Sequence, residues 1–372
     1  MARMNMHQMT VGQNKTQDLR FDVSTNISEC ARPAHGGDIL AFCERTGRNP
    51  KDCIDLSTGI APWAWPVPDI PAELWQRLPT STSLESELLE VAATYYGCAS
   101  SSLHAVAGSQ SAIEIVPLIA KFAARIAIPA IGYKEHLYAW KMAGAKIVPY
   151  ESNSELKKLV DDERVDYAVV INPNNPSGDV VSVNYLESIR QQLAGRGGFL
   201  VVDEAFIDPT PHLSMMLCLG REGLVVLRSV GKFFGLAGLR LGFFGAATAL
   251  IESVRSQTPL WSLSTPALWI GKEMLGDRQW IEMQRRRCMH HSRELMTLLQ
   301  HKFAQLCWAR SDLFVVGRGS VNAIENCQNR LARLGIHVRL ITVDQSSALI
   351  RIGLADEHGL EILDKIPEEE LS

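Results

Sequence analysis

The residue best placed for chemistry in this 372-residue chain is Lys232, in the run Ser229-Val-Gly-Lys232-Phe-Phe-Gly-Leu-Ala-Gly-Leu-Arg240. It follows a strand-like segment, 224–229, and its neighbours are apolar. A solvated surface charge is badly served there, whereas an amine meant to form an imine is well served, because an apolar, cation-lined site makes it lose its proton more easily. Ser229 stands three residues before the lysine and Arg240 eight after it. A hydroxyl and a guanidinium are the groups that hold a bound phosphate. Gly235 and Gly238 let the connecting loop wrap closely around a ligand.

Two upstream motifs complete a pattern. Asn172-Pro-Asn-Asn175-Pro-Ser-Gly178 follows the strand 167–171, and Asp203-Glu-Ala-Phe206 ends the strand 199–202. Three such motifs in this order, each after a strand, resemble the pyridoxal-phosphate enzymes of fold type I, in the class I/II aminotransferase group. The resemblance covers roughly residues 35 to 365. It implies that Lys232 carries pyridoxal 5'-phosphate as an imine and shuttles protons at Cα. It further implies that Asp203 pairs with the pyridine nitrogen, so that the ring acts as an electron sink, and that Asn175 hydrogen-bonds the ring hydroxyl. Many relatives place a tyrosine three residues after the aspartate; here it is Phe206, so that hydrogen bond is absent.

The cofactor phosphate is expected between Ser229, Arg240 and the turn Gly108-Ser109-Gln110, which leads into a helix and presents backbone N–H groups to an anion. The aromatic ring that relatives stack on the cofactor face falls at His136, with Tyr133 as the alternative. Arg351 is one charge inside the apolar strand 348–354. Buried arginines have anionic partners, and in the family this arginine grips the substrate carboxylate.

The N-terminal region points to a branch. His35-Gly36-Gly37-Asp38 followed by Asp55-Leu-Ser57-Thr-Gly59-Ile-Ala61-Pro62 is similar to the cobalamin-biosynthetic threonine-phosphate decarboxylases. The resemblance implies substrate contacts from His35, Gly36, Gly37, Ser57, Gly59, Arg339 and Arg351, with His35 and Arg339 as candidates for the substrate phosphate. Two positions depart from the pattern: Ala61 replaces a common asparagine, and Leu78 a tyrosine that reaches the partner subunit's cofactor.

These residues need a scaffold. Residues 104 to 246 alternate strand-length apolar runs (125–128, 146–150, 167–171, 199–202, 224–228, 240–245) with helical patterns at 134–143 and 183–193. This predicts an α/β fold, an aminotransferase-like large domain with a mainly parallel sheet covered by helices. After about residue 255 the pattern changes: a long helix 278–306, strand 313–316, helix 321–334, strands 338–341 and 349–354, and helix 357–366 predict a smaller α+β domain. The expected organisation is a loose tail 1–34, an arm 35–80 joining the small domain, a large cofactor domain 81–255 and a C-terminal small domain 256–372.

Composition excludes other classes. The net charge of −4 gives no electrostatic footprint for nucleic acid. The apolar stretches fall short of the ~20 residues needed to span a bilayer, and residues 1–34 lack a secretory apolar core. The eight cysteines show no metal spacing and read as thiols of a reducing cytoplasm. The run Arg285-Arg-Arg287 reads as a solvated helix face, and Trp63 and Trp65 as packing for the N-terminal arm, within the chain or onto a partner subunit.

The leading expectation is a decarboxylase acting on a small phosphorylated amino acid, L-threonine O-3-phosphate, as a cytoplasmic homodimer. The alternatives are an aminotransferase of the histidinol-phosphate type and a partner subunit of the cobinamide-forming synthase.

Overall fold

The structure is a computed structural model that describes residues 32, 33, 35–79 and 83–367; all of the expected tail except residues 32 and 33 lies outside the described residues. Seven strands form one sheet: β1 (Leu103–Val106), β2 (Arg125–Pro129), β3 (Lys146–Tyr150), β4 (Tyr167–Ile171), β5 (Phe199–Asp203), β6 (Leu224–Ser229) and β7 (Gly242–Ala246). Their order is β1-β7-β6-β5-β4-β2-β3. Within this sheet β7 runs antiparallel to both its neighbours, β1 and β6, and β2 to β6 pair in parallel.

Alternate residues of the central strands enter opposite faces. Ala168, Val170, Leu200, Val202 and Val226 pack into one apolar cluster; Tyr167, Val169, Val201, Val225 and Leu227 pack into the other. Both faces are dry, so these runs are continuously apolar rather than alternating. Each fully buried side chain of this size contributes about 1.5–3 kcal/mol. The helix Val183–Ala194 covers one face through Leu186, Ile189 and Leu193 and starts at Ser182, whose hydroxyl accepts from the Tyr185 N–H. Helical spacing and the cap agree, so the element is well specified.

A second, antiparallel sheet comprises β8 (Cys307–Ser311), β9 (Phe314–Ser320), β10 (Arg339–Thr342) and β11 (Ser347–Gly353), in the order β10-β11-β9-β8. Its register sets Arg339 directly opposite Arg351. Ile54–Asp55 pairs in parallel with Ile336–His337 as a separate two-stranded ladder, and the Gly353 N–H of β11 donates to the Leu56 carbonyl at 2.7 Å, which ties the N-terminal segment to this sheet.

Several expectations shift. The long helix ends at Lys302, not 306, and β8 follows it. The run Cys-Trp-Ala-Arg-Ser of β8 has little apolar periodicity to reveal it. A helix at Thr265–Gly276 was not foreseen. β7 begins at Gly242 rather than 240, because Arg240 adopts a left-handed backbone (φ 53°) incompatible with a strand. Trp65 and Trp63 pack within the chain: Trp65 Nε1 donates to Asp277 at 3.1 Å, and Trp63 lies edge-on to His291 at 4.4 Å. Of the basic run, Arg286 is exposed, but Arg285 donates to the Asp208 carbonyl and Arg287 lies over Trp63. No helix among the described residues is long and apolar enough to cross a membrane.

Behind the ends of β5 and β6 lies a buried ionic cluster. Arg228 pairs with Asp208 and, at 3.3 Å, with Glu204, all three almost wholly enclosed. Tyr95 donates to Asp208 at 2.9 Å, and the Arg228 guanidinium lies 4.5 Å over the Tyr96 ring. Burial pushes the Glu204 carboxyl up to about 7 against the opposing pull of Arg228. Truncating Arg228 would strand two buried carboxylates. Arg228→Ala is therefore expected to cost about 3–5 kcal/mol, read as a fall in the urea midpoint. Arg255→Ala, which breaks an exposed pair with Glu252, should cost below about 1 kcal/mol.

Candidate active site

A cavity of about 370 Å³ is lined by Ile171, Asp203 and Ser229 at the ends of β4, β5 and β6, by Asn175 and Lys232 just beyond them, and by Arg339 and Arg351 from the second sheet. Ligands of open α/β sheets occupy this position, where strand ends release loops around a crevice.

Lys232 sits in a one-turn helix, Val230–Phe233, that follows β6 directly. Its carbonyl accepts the Ala61 N–H at 2.9 Å, which fastens the N-terminal segment beside it. Its Nζ lies 5.9 Å from the Phe206 ring centre. Burial, then the Arg351 and Arg240 cations, lower its ammonium to about 8, with Asp203 opposing. A hydrophobic wall and like charges both penalise the protonated form. Phe206 can lie this close to the segment above it because residue 59 is glycine: a β-carbon there would stand 2.4 Å from Phe206 Cε1.

Asp203 is 3% exposed. Its Oδ1 accepts the Ala205 N–H at 3.2 Å, and its Oδ2 lies 2.9 Å from His136 Nε2. An ionised carboxylate only accepts, so the histidine nitrogen facing it carries the hydrogen. This corrects the stacking role expected of His136: the ring is 1% exposed, and it is held by Asp203 behind the cavity wall. The aromatic ring that lines the cavity from this segment is Tyr133.

Arg351 is 8% exposed. It donates to Asn175 Oδ1 at 2.5 Å and to the Ser57 carbonyl at 2.6 Å, and its Nε is buried without a partner. Burial, then Arg339, lower its guanidinium to about 10. Burial also lowers Arg339. Two cations opposite each other on neighbouring strands repel, and an anion between them would relieve it.

Ser109, Gln110, Ser229 and Arg240 line the same cavity. Gly108 stands behind them with φ 75°, and a β-carbon there would be 2.9 Å from Arg240 Nη2, so glycine is required on two counts. Of the other sequence-predicted residues, His35 and Gly36 line the cavity. Gly37, Ser57 and Gly59 do not; they build its back. Ser57 is fully buried and its hydroxyl accepts the Gly37 N–H at 2.8 Å, while its carbonyl anchors Arg351. Sequence reasoning missed Glu135, 1% exposed and 2.7 Å from His35 Nε2. An acidic residue in a first helical turn reads as ordinary dipole compensation, so nothing in its spacing marked it.

The amine should be half neutral near pH 8. Reductive alkylation of Lys232 in the cofactor-free protein by a small aldehyde, followed by peptide mass spectrometry, should rise with pH through a midpoint near 8 rather than near the ordinary 10.5. Arg351→Met removes a cation and should move that midpoint upward.

Comparison with known proteins agrees with this geometry. Residues 77–363 match the family model for aminotransferase class I and II. A threonine-phosphate decarboxylase of Pseudomonas aeruginosa is 39% identical over 266 residues, covering 72% of this chain and 78% of that protein. One from a Sinorhizobium species is 36% identical over 242 residues, covering 65% and 71%. The crystal structure of histidinol-phosphate aminotransferase from Sinorhizobium meliloti with pyridoxal-5'-phosphate superposes with a TM-score of 0.78 at 16% identity, covering 92% of this chain and 96% of that one. The chain belongs to the class I and II aminotransferase family of pyridoxal-phosphate enzymes, in its threonine-phosphate decarboxylase branch.

Proposed function

We propose that this protein decarboxylates L-threonine O-3-phosphate to (R)-1-aminopropan-2-yl phosphate for cobalamin biosynthesis. The observation that carries this reading is the cavity itself: one buried, easily deprotonated lysine and two opposed arginines in a single space. Relatives at 39% and 36% identity bearing that name support the substrate.

The residues present fit pyridoxal phosphate. Lys232 offers the amine for its carbonyl carbon, and Asp203, fixed by His136, a carboxylate for its ring nitrogen. Asn175 offers an amide for the ring hydroxyl, Tyr133 an aromatic face, and Ser109, Gln110, Ser229 and Arg240 donors for its phosphate. When bound, the cofactor supplies an electron sink for the pair left on Cα as carbon dioxide departs.

The chain supplies the rest. Arg351 fixes the substrate carboxylate, and Arg339 with His35 fix the phosphate; the two anionic ends then orient the Cα bond to be broken. Apolar walls from Phe206, Leu340 and Ile341 limit water around the reacting carbon. Lys232, as the neutral amine, takes up a proton from the substrate ammonium and later returns one to Cα. The bond broken is Cα–carboxylate and the bond formed is Cα–H, so the reaction needs no second substrate.

The sheet of β1 to β7 and the sheet of β8 to β11 form the cores of a large domain and a small domain, the latter joined by the N-terminal arm. The enzyme works in the cytoplasm as a homodimer. The exposed Trp75, Leu78, Leu260 and Trp261 support a covered face. A contact with the cobinamide-forming synthase would pass the product on.

The test is product analysis. With L-threonine O-3-phosphate, the reconstituted protein should release carbon dioxide and the amine phosphate in equal amounts. Lys232→Ala should lower the rate by about 10²–10⁴-fold. Glutamate formed from histidinol phosphate and 2-oxoglutarate, without carbon dioxide, would make the protein an aminotransferase instead.

A further inference from the structure

Glu135 is a buried carboxylate that the chemistry above does not use, yet it joins three separate segments at the cavity. Its Oε1 lies 2.7 Å from His35 Nε2, and its Oε2 accepts Gln110 Nε2 at 2.8 Å. Gln110 Oε1 in turn accepts the Tyr133 hydroxyl at 3.1 Å, and the Tyr133 and His35 rings stand 5.6 Å apart. His35, Gln110 and Tyr133 all line the cavity; Glu135 stands behind them at 1% exposure while His35 is 42% exposed.

A carboxylate out of water needs a cation or several donors. Among its partners, one oxygen faces an imidazole nitrogen and the other an amide. An ionised carboxylate only accepts, so His35 turns its Nε2 hydrogen to Glu135 and leaves its Nδ1 edge free of that contact. No hydrogen bond fixes that nitrogen within the described residues. Carboxylate–histidine pairs orient the imidazole in this way when its other nitrogen serves a ligand.

We propose that Glu135 is a positioning residue: it holds the His35 ring at the cavity wall for contact with the substrate phosphate and, through Gln110, fixes the Tyr133 ring in the same network. This rests on the decarboxylase reading. It adds a device that acts from behind the cavity wall, and it makes the rotamer of an otherwise exposed histidine depend on a buried charge.

Glu135→Gln isolates the charge. A glutamine accepts at one atom only, but Gln110 can turn to restore the hydrogen bonds, so shape is kept and the negative charge lost. In the reconstituted holoenzyme, Glu135→Gln should raise KM for L-threonine O-3-phosphate about 10- to 100-fold with kcat changed by less than about threefold. The calorimetric Kd of the amine phosphate product should weaken in parallel, with the melting temperature unchanged. His35→Ala should show the same loss, and the double variant no more than His35→Ala alone, because the carboxylate acts through the ring. Additive losses, or a fall in kcat with KM unmoved, would overturn the proposal. So would a Glu135→Gln enzyme indistinguishable from wild type. If wild type itself neither turns over the substrate nor binds the product, the function reading fails instead.

Discussion

An amine held short of its proton inside the protein is the constraint on which this structure turns. Lys232 is surrounded by apolar walls and by two arginines, with Asp203 as the opposing charge. Each term has a cost. Burying an ammonium beside guanidinium groups is costly, and the lysine answers by giving up its proton near pH 8 rather than near the ordinary 10.5. Arg351 cannot escape this way, and its own lowered affinity for the proton leaves it a cation at neutral pH. It is held by an amide and a carbonyl, both uncharged. The cavity is thus an electrostatic demand for anions built around a nucleophile, and a substrate carrying a carboxylate and a phosphate answers it.

The fold exists to keep that arrangement in register. Parallel strands bring Asp203 and Ser229 to one edge, and the turn after β6 presents the lysine. The second sheet contributes both arginines through a single cross-strand pair. The N-terminal segment closes the gap between them: Ala61 binds the Lys232 carbonyl, Ser57 binds Arg351, and Ile54 and Asp55 pair with Ile336 and His337. The buried Arg228 cluster stiffens the same strand ends from behind, since residues 204 and 228 each adjoin a cavity residue.

The sheet of the large block was legible because its strands are buried on both faces and so read as short apolar runs, most of them placed within a residue or two. What escaped was whatever lacks period. β8 mixes cysteine, tryptophan and arginine, and the helix Thr265–Gly276 opens with proline and contains glycine. In the site, motif and position singled out Lys232, Asp203, Asn175 and Arg351, and the fold brings these four to one cavity. His136 was read for the wrong task, because sequence gives its place on a helix but not that its imidazole turns inward to Asp203. Ser57, Gly37 and Gly59 were read as lining and proved to be the support of the lining. Glu135 was invisible, since its partners lie 25 and 100 residues away.

The most direct measurement of the electrostatic claim is a ratio of kcat/KM for L-threonine O-3-phosphate over L-threonine, taken on the same reconstituted enzyme. The cationic cluster predicts a preference of about 10²–10⁴-fold for the phosphorylated substrate, the worth of one or two charge-assisted contacts beyond the carboxylate. Turnover of the two substrates within about tenfold of each other would contradict it, and would leave Arg339 and His35 with no part in recognition.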